Sequence, residues 1–258
     1  MIAQVTTTSR LLEGRRILVT GAARGLGLAF TRSLVAAGAR FAMADIREEL
    51  VRESATALQA EGHDVTAFGL DLGDPASVDR CAAAAVDVLG GLDGLVNNAA
   101  VTDSGGRPAD ELDIATFDRV MLVNVRGSWL MTRACGKPRA ASGHGAVVNL
   151  ASDTALWGAP NLIAYVASKG AVIAMTHSLA REMGRDNITV NAIAPGLTLV
   201  EATEYVPEHR HRLYLDQRAI HREQTAEDVC GSVVFALSDM ARFVTGQLLA
   251  VNGGFVMH

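Results

Sequence analysis

Seven short runs rich in Val, Ile, Leu and Ala recur along the chain: "RILVTG" (16–21), "ARFAMAD" (39–45), "DVTAFGLDL" (64–72), "LDGLVNN" (92–98), "GAVVNLAS" (145–152), "ITVNAIAPG" (188–196) and "QLLAVNGG" (247–254). Most lack the apolar/polar alternation of a strand that is wet on one face, as expected of parallel strands covered on both sides. Between them, residues 26–37, 47–61, 76–89, 114–134, 162–184 and 226–237 carry helical spacing. Strand and helix in such strict succession predict an α/β protein: a doubly wound, seven-stranded parallel sheet flanked by helices, with right-handed crossovers. At 258 residues the chain fits one large domain, 1–258. Residues 197–224 break the rhythm with more chain than a turn needs, and they follow the carboxyl end of a strand, where such sheets bind ligands.

Bulk properties exclude several functions. A net charge of −5 gives no domain-wide positive field to displace counterions from phosphates, so nucleic acid is not an expected partner. The three cysteines, Cys81, Cys135 and Cys230, are odd in number and far apart, which favours a reducing compartment over a disulfide framework. The opening "MIAQVTTTSRLLEGRR" has no apolar h-region, and no uncharged apolar run reaches 18 residues, so neither a signal peptide nor a membrane span is expected. The expected location is cytoplasmic.

"VTGAARGLG" sets Gly21, Gly25 and Gly27 between the first strand and first helix. Gly21 suits the tight turn, Gly25 lets backbone approach a pyrophosphate, and Gly27 allows close helix–strand packing, with the helix N-terminus facing the phosphates. Arg24 and Leu26 complete this loop. Asp45, followed by Ile46, ends the second strand, where a carboxylate accepts from ribose hydroxyls and repels a 2′-phosphate. Arg24 and Arg47 pull the other way. The balance predicts NAD, with NADP less favoured.

Tyr165 and Lys169, in "YVASK", are i and i+4 and so share one helix face. Ser152 closes the fifth strand, and Asn124, in "LVNVRG", falls within a helical stretch. Together with the glycine loop these residues resemble the short-chain dehydrogenase/reductase family in its single-domain, Rossmann-fold form. The resemblance runs from Gly14 to Gly254 through "TGAARGLG", Asp71, "NNAA" (97–100), Asn124, Ser152, "YVASK" and "PG" (195–196); Ala100 replaces the family's usual glycine.

The resemblance implies an NAD(P)-dependent oxidoreductase acting on a secondary alcohol or its ketone. Tyr165 would be the general acid/base, Ser152 would hold the substrate oxygen, and Asn124 would orient a water chain from Lys169. Lys169 would also bind the nicotinamide ribose. Asp71, Leu72, Asn98, Ala99, Pro195, Gly196 and Thr198 would border the cofactor. An unperturbed phenol has a pKa of about 10, so Lys169 and a positive nicotinamide ring are expected to lower it. The family also implies a homotetramer packed through 114–134 and 162–184. Two alternatives stand beside this reading: an NADPH-dependent 3-oxoacyl-type ketoreductase, and a non-enzymatic nucleotide sensor. An epimerase or dehydratase would need a larger substrate domain.

Substrate choice falls to "VTDSGGR" (101–107), "DTALWG" (153–158) and 197–224. Leu156, Trp157, Leu197, Leu199 and Tyr205 would form an apolar, partly aromatic wall suited to a hydrophobic or cyclic alcohol, with Trp157 beside Ser152 and Tyr165 at the substrate. Arg210, Arg212 or Arg218 could instead capture an anionic group, or the run could be a solvated helix face. His209 and His211, two apart, point away from each other on a helix, so no metal site is expected.

Overall fold

The computed structural model describes residues 10–257, so most of the N-terminal stretch read above for a targeting sequence lies outside the described residues. Its strands are β1 (Arg16–Thr20), β2 (Arg40–Asp45), β3 (Val65–Gly69), β4 (Gly94–Asn97), β5 (Ala146–Leu150), β6 (Thr189–Pro195) and β7 (Leu248–Val251). All pair in parallel in the order β3-β2-β1-β4-β5-β6-β7. Each of the seven predicted runs forms a strand, trimmed at its ends. In the third, Leu70, Asp71 and Leu72 leave the sheet to border a crevice.

The principal helices are α1 (Gly25–Ala36), α2 (Glu48–Ala60), α3 (Pro75–Leu89), α4 (Ile114–Met121), α5 (Ser128–Ala134), α6 (Gly136–Ala140), α7 (Thr154–Trp157), α8 (Ile163–Met183), α9 (Glu208–Gln217) and α10 (Ala226–Leu237). The predicted single helix over 114–134 is interrupted: residues Leu122–Gly127 form a π-helical turn between α4 and α5. Such turns are rare inside α-helices, and they gather at functional sites. Asn124 sits inside it.

Alternate residues of β1 face opposite layers, as the pleat requires. Ile17 and Val19 join Phe30 and Leu34 of α1 and Val229 and Val233 of α10 in one cluster. Leu18 joins Cys81 of α3 and Leu130 and Met131 of α5 in the other. Each fully buried Leu or Phe in these layers contributes roughly 1.5–3 kcal/mol, which makes the sheet a stiff platform for its loops. At the amino end, Arg16 clamps β1 to the turn before β4 through two bonds to the Asp93 carboxylate, Nε–Oδ2 at 2.8 Å and Nη2–Oδ1 at 2.9 Å.

The 197–224 insertion is pinned at its base by a bridge between Thr198 and Gln224, and Gln224 Nε2 donates to the Val251 carbonyl at 2.6 Å. It therefore leaves and rejoins the domain beside the last two strands, above their carboxyl ends.

Candidate active site

A crevice of about 340 Å³ opens where the strand order reverses, between β1 and β4. This is the switch point at which open α/β sheets take ligands, and its size falls within the range of small-molecule sites. Gly21, at φ +67°, turns the chain out of β1, and a Cβ there would lie 2.7 Å from Ala99 Cα. A Cβ on Gly27 would come within 2.0 Å of the Gly21 carbonyl oxygen, so helix α1 can approach the strand only with hydrogen at that position. Arg24 caps α1 without a side-chain bond, and Gly25, Leu26 and Gly27 border the crevice, leaving the first N–H groups of the helix available to an anion. Gly27→Ala is expected to lower the melting temperature and weaken dinucleotide binding together, through roughly 1–3 kcal/mol of overpacking against backbone. Thermal melts with and without dinucleotide check this; an unchanged pair of curves would remove the close-packing role.

The loop after β4 is built to hold the glycine turn. Thr20 Oγ1 accepts from the backbone N–H groups of Asn98 and Ala99, both at 3.1 Å, and Asn98 Nδ2 donates to the Thr20 and Gly21 carbonyls at 3.0 Å. Ala100 has no positive φ, so replacing the family's glycine there introduces no strain. At the end of β2, the buried Asp45 carboxylate accepts from Ala23 N at 3.1 Å and Arg47 N at 2.9 Å while still bordering the crevice with Ile46. Asp71 Oδ1 accepts from Gly73 N at 2.8 Å, which fixes its loop at the same rim. Pro195, Gly196 and Thr198 border the opposite end.

Tyr165 and Lys169 stand one turn apart on α8, and both border the crevice with Ser152. Lys169 is 4% exposed, and its Nζ donates to the Leu150 carbonyl at 2.6 Å. Burial lowers its pKa to about 8. The half-buried Tyr165 has its phenol pushed well above the ordinary value by burial; Ser152 draws it down, and Tyr205 and Asp153 push it up. The expectation that Lys169 lowers this pKa is therefore not met in the protein alone. The lysine nitrogen lies over the ring, 5.5 Å from its centre, bonded to a carbonyl, and desolvation of the phenolate dominates. Ser152 Oγ accepts from Thr154 N at 3.3 Å, which leaves its own hydrogen to be donated into the crevice.

Asn124 lies behind this group. Its Oδ1 accepts from Val101 N at 2.7 Å, and its Nδ2 donates to Val101 O at 3.1 Å and Ser168 Oγ at 3.0 Å. The amide thus ties the π-turn to the loop after β4 and to α8, with no direct bond to Lys169.

The substrate-side residues divide differently from expectation. Trp157 does not border the crevice: its indole packs edge-on against Phe255 at 5.5 Å and Tyr214 at 6.4 Å. Tyr205 is exposed and does not border it either; its hydroxyl donates to the carbonyl of Thr102, which does. Arg218 is buried, donating to Leu197 O at 2.6 Å, so it cannot meet a substrate anion. Arg212 pairs with the exposed Glu208 at 3.2 Å, and Arg210 lies over Trp157 and donates to Pro160 O at 3.1 Å. Sequence reasoning missed Asp153 and Tyr214, which meet in a buried hydrogen bond across 61 residues. The one hint available was an aspartate directly after Ser152.

Residues 21–256 match the family model described as enoyl-(acyl carrier protein) reductase, one of the short-chain dehydrogenase/reductase models. The 2-(S)-hydroxypropyl-CoM dehydrogenase 3 of Xanthobacter autotrophicus is 34% identical over 253 residues, covering 95% of this chain and 98% of that protein. The chain belongs to the short-chain dehydrogenase/reductase family. Sorbitol dehydrogenase of Cereibacter sphaeroides, 36% identical over 255 residues, covers 94% of the chain and 98% of the relative. A gluconate 5-dehydrogenase from Burkholderia cenocepacia, solved in complex with NADP and tartrate, superposes with a TM-score of 0.91 at 29% identity, over 96% of this chain and 98% of that one. As a short-chain dehydrogenase/reductase, the protein is a hydride-transfer oxidoreductase acting on the CH–OH group of secondary alcohols.

Proposed function

We propose that this enzyme transfers hydride between NAD and a hydrophobic or cyclic secondary alcohol or its ketone, with Tyr165 as general acid/base. The reading is carried by one observation: Ser152, Tyr165 and Lys169 border the same crevice as the glycine turn of α1. The residues fit a nicotinamide dinucleotide, since the backbone cradle at Gly21 and Gly27 would be filled by any Cβ. The bound cofactor supplies the hydride acceptor or donor. Ser152 donates to the substrate oxygen, Tyr165 takes or returns its proton, and Lys169, once turned toward the phenol and the ribose, favours the phenolate electrostatically. Asn124 keeps the π-turn and Val101 in register, so that a water chain can reach the lysine.

Asp45 supports NAD, because a carboxylate at the ribose repels a 2′-phosphate. Asp45→Ser is expected to raise the NADP-to-NAD ratio of kcat/KM at least about tenfold, the equivalent of removing roughly 1.4 kcal/mol of repulsion. An unchanged ratio would separate Asp45 from cofactor choice. Arg24 and Arg47 at the same rim favour the second reading, an NADPH-dependent 3-oxoacyl-type ketoreductase, and the gluconate 5-dehydrogenase neighbour was itself solved with NADP. Val101, Val200 and Ala202 on the crevice wall support an apolar substrate. Trp129, 44% exposed on α5, supports helix packing in a homotetramer, and light scattering tests that assembly. The three free, buried cysteines support a reducing, cytoplasmic location. Among the described residues no helix is long and apolar enough to cross a membrane.

Reduced-nicotinamide absorbance with a panel of secondary alcohols and ketones, run in both directions with both cofactors, tests the proposal. Turnover of apolar alcohols with NAD is the expected result. Binding of NAD without turnover of any alcohol or ketone would favour a nucleotide sensor.

A further inference from the structure

Behind Ser152 lies a buried acid that the chemistry above does not use. Asp153 is 0% exposed, and its Oδ1 accepts a 2.7 Å hydrogen bond from the Tyr214 hydroxyl. Tyr214 belongs to α9, the helix of the 197–224 insertion, and is itself buried. Its hydroxyl also accepts from Trp157 Nε1 at 3.3 Å, its ring stacks on Phe255 at 4.1 Å, and the Arg218 guanidinium lies 4.9 Å from the ring centre. On the other side, Asp153 N donates to the Pro195 carbonyl at 3.0 Å, at the end of β6.

The polar complement is nevertheless incomplete. Asp153 Oδ2 and Arg218 Nε are both buried without a partner. A half-satisfied carboxylate in a dry site is costly to keep charged. Burial pushes this carboxyl up to about 7, although Tyr214, Arg218, Asn252 and the Thr154 N–H each favour the anion. Of the groups facing it, Tyr214 and Arg218 come from the insertion and Asn252 from the segment after β7.

We infer that Asp153 is a positioning residue: through Tyr214 it ties the insertion helix to the strand end carrying Ser152. The tie does not rest on the proposed function.

Three variants test the tie. Asp153→Asn keeps an acceptor for Tyr214 and is expected to hold KM and the rate of tryptic nicking at Arg210 and Arg212 near wild type. Asp153→Leu removes the acceptor and strands the Tyr214 hydroxyl. Nicking in α9 is then expected to accelerate about tenfold, with a similar rise in KM and little change in dinucleotide affinity. Tyr214→Phe should reproduce the faster nicking from the other side of the bond. Wild-type nicking in both Asp153→Leu and Tyr214→Phe overturns the tie. If the wild-type protein turns over no secondary alcohol, the proposed function fails, while the nicking rates still decide the tie.

Discussion

Tyr165→Phe is expected to lower kcat about 10³-fold while leaving dinucleotide affinity within about threefold, the scale of a lost general acid/base. The substitution removes one oxygen and keeps the ring, so the wall of the crevice and the contact with Lys169 persist. What disappears is the group proposed to exchange a proton with the substrate oxygen. Burial holds the phenol high in the protein alone, so turnover requires a positive charge nearby to bring its pKa toward neutrality. Oxidation should therefore rise with pH through the phenol's lowered value, and Tyr165→Phe should show a flat residual profile. Dinucleotide titration followed by single-turnover assays checks both parts; near-normal kcat in this variant would refute the assignment.

Lys169→Met is expected to abolish activity to a similar extent and, at the same time, to raise stability. The lysine's folded pKa of about 8 lies below its ordinary value of 10.5. The unfolded chain therefore holds the proton more tightly, and below pH 8 the folded protein carries the full cost of a buried ammonium. A difference of this size is worth roughly 3 kcal/mol, and losing the bond to the Leu150 carbonyl takes back ~1 kcal/mol. A net gain of about 2 kcal/mol should appear at neutral pH. Linkage gives the sign: between pH 8 and 10.5 the wild-type protein is relieved of that cost as the lysine loses its proton, so the advantage of methionine fades across this window. Urea unfolding at several pH values measures it. A variant less stable than wild type at pH 7 would mean that the ammonium is better solvated than its surroundings indicate.

Much of the fold was legible because it rests on local patterns. Central strands such as β1 and β5 are apolar on both faces, and the glycines at 21 and 27 have a steric meaning that can be read without coordinates. The π-turn at Leu122–Gly127 was not legible, since its apolar spacing is that of an ordinary helix. Trp157 looked like a substrate wall because it follows Ser152 closely. In the fold the C-terminal Phe255 returns to cover it, a contact across 98 positions that no local window contains. The partnership of Asp153 with Tyr214 was hidden for the same reason, and the tyrosine was further masked by the arginines and histidines around it. The spacing of Tyr165 and Lys169 correctly put them on one helix face, but it could not tell that the amine turns to the Leu150 carbonyl.

The central claim is that hydride passes in this crevice directly between a carbinol carbon and the bound nicotinamide cofactor, with Tyr165 exchanging the proton. The most direct measurement uses an apolar secondary alcohol deuterated at the carbinol carbon, incubated with NAD and the enzyme, with the mass of the nicotinamide product read afterwards. Stoichiometric deuterium in the reduced cofactor, with none acquired from heavy water, is the predicted result. Reduced cofactor without the label, or ketone formed with no reduced cofactor, would contradict it.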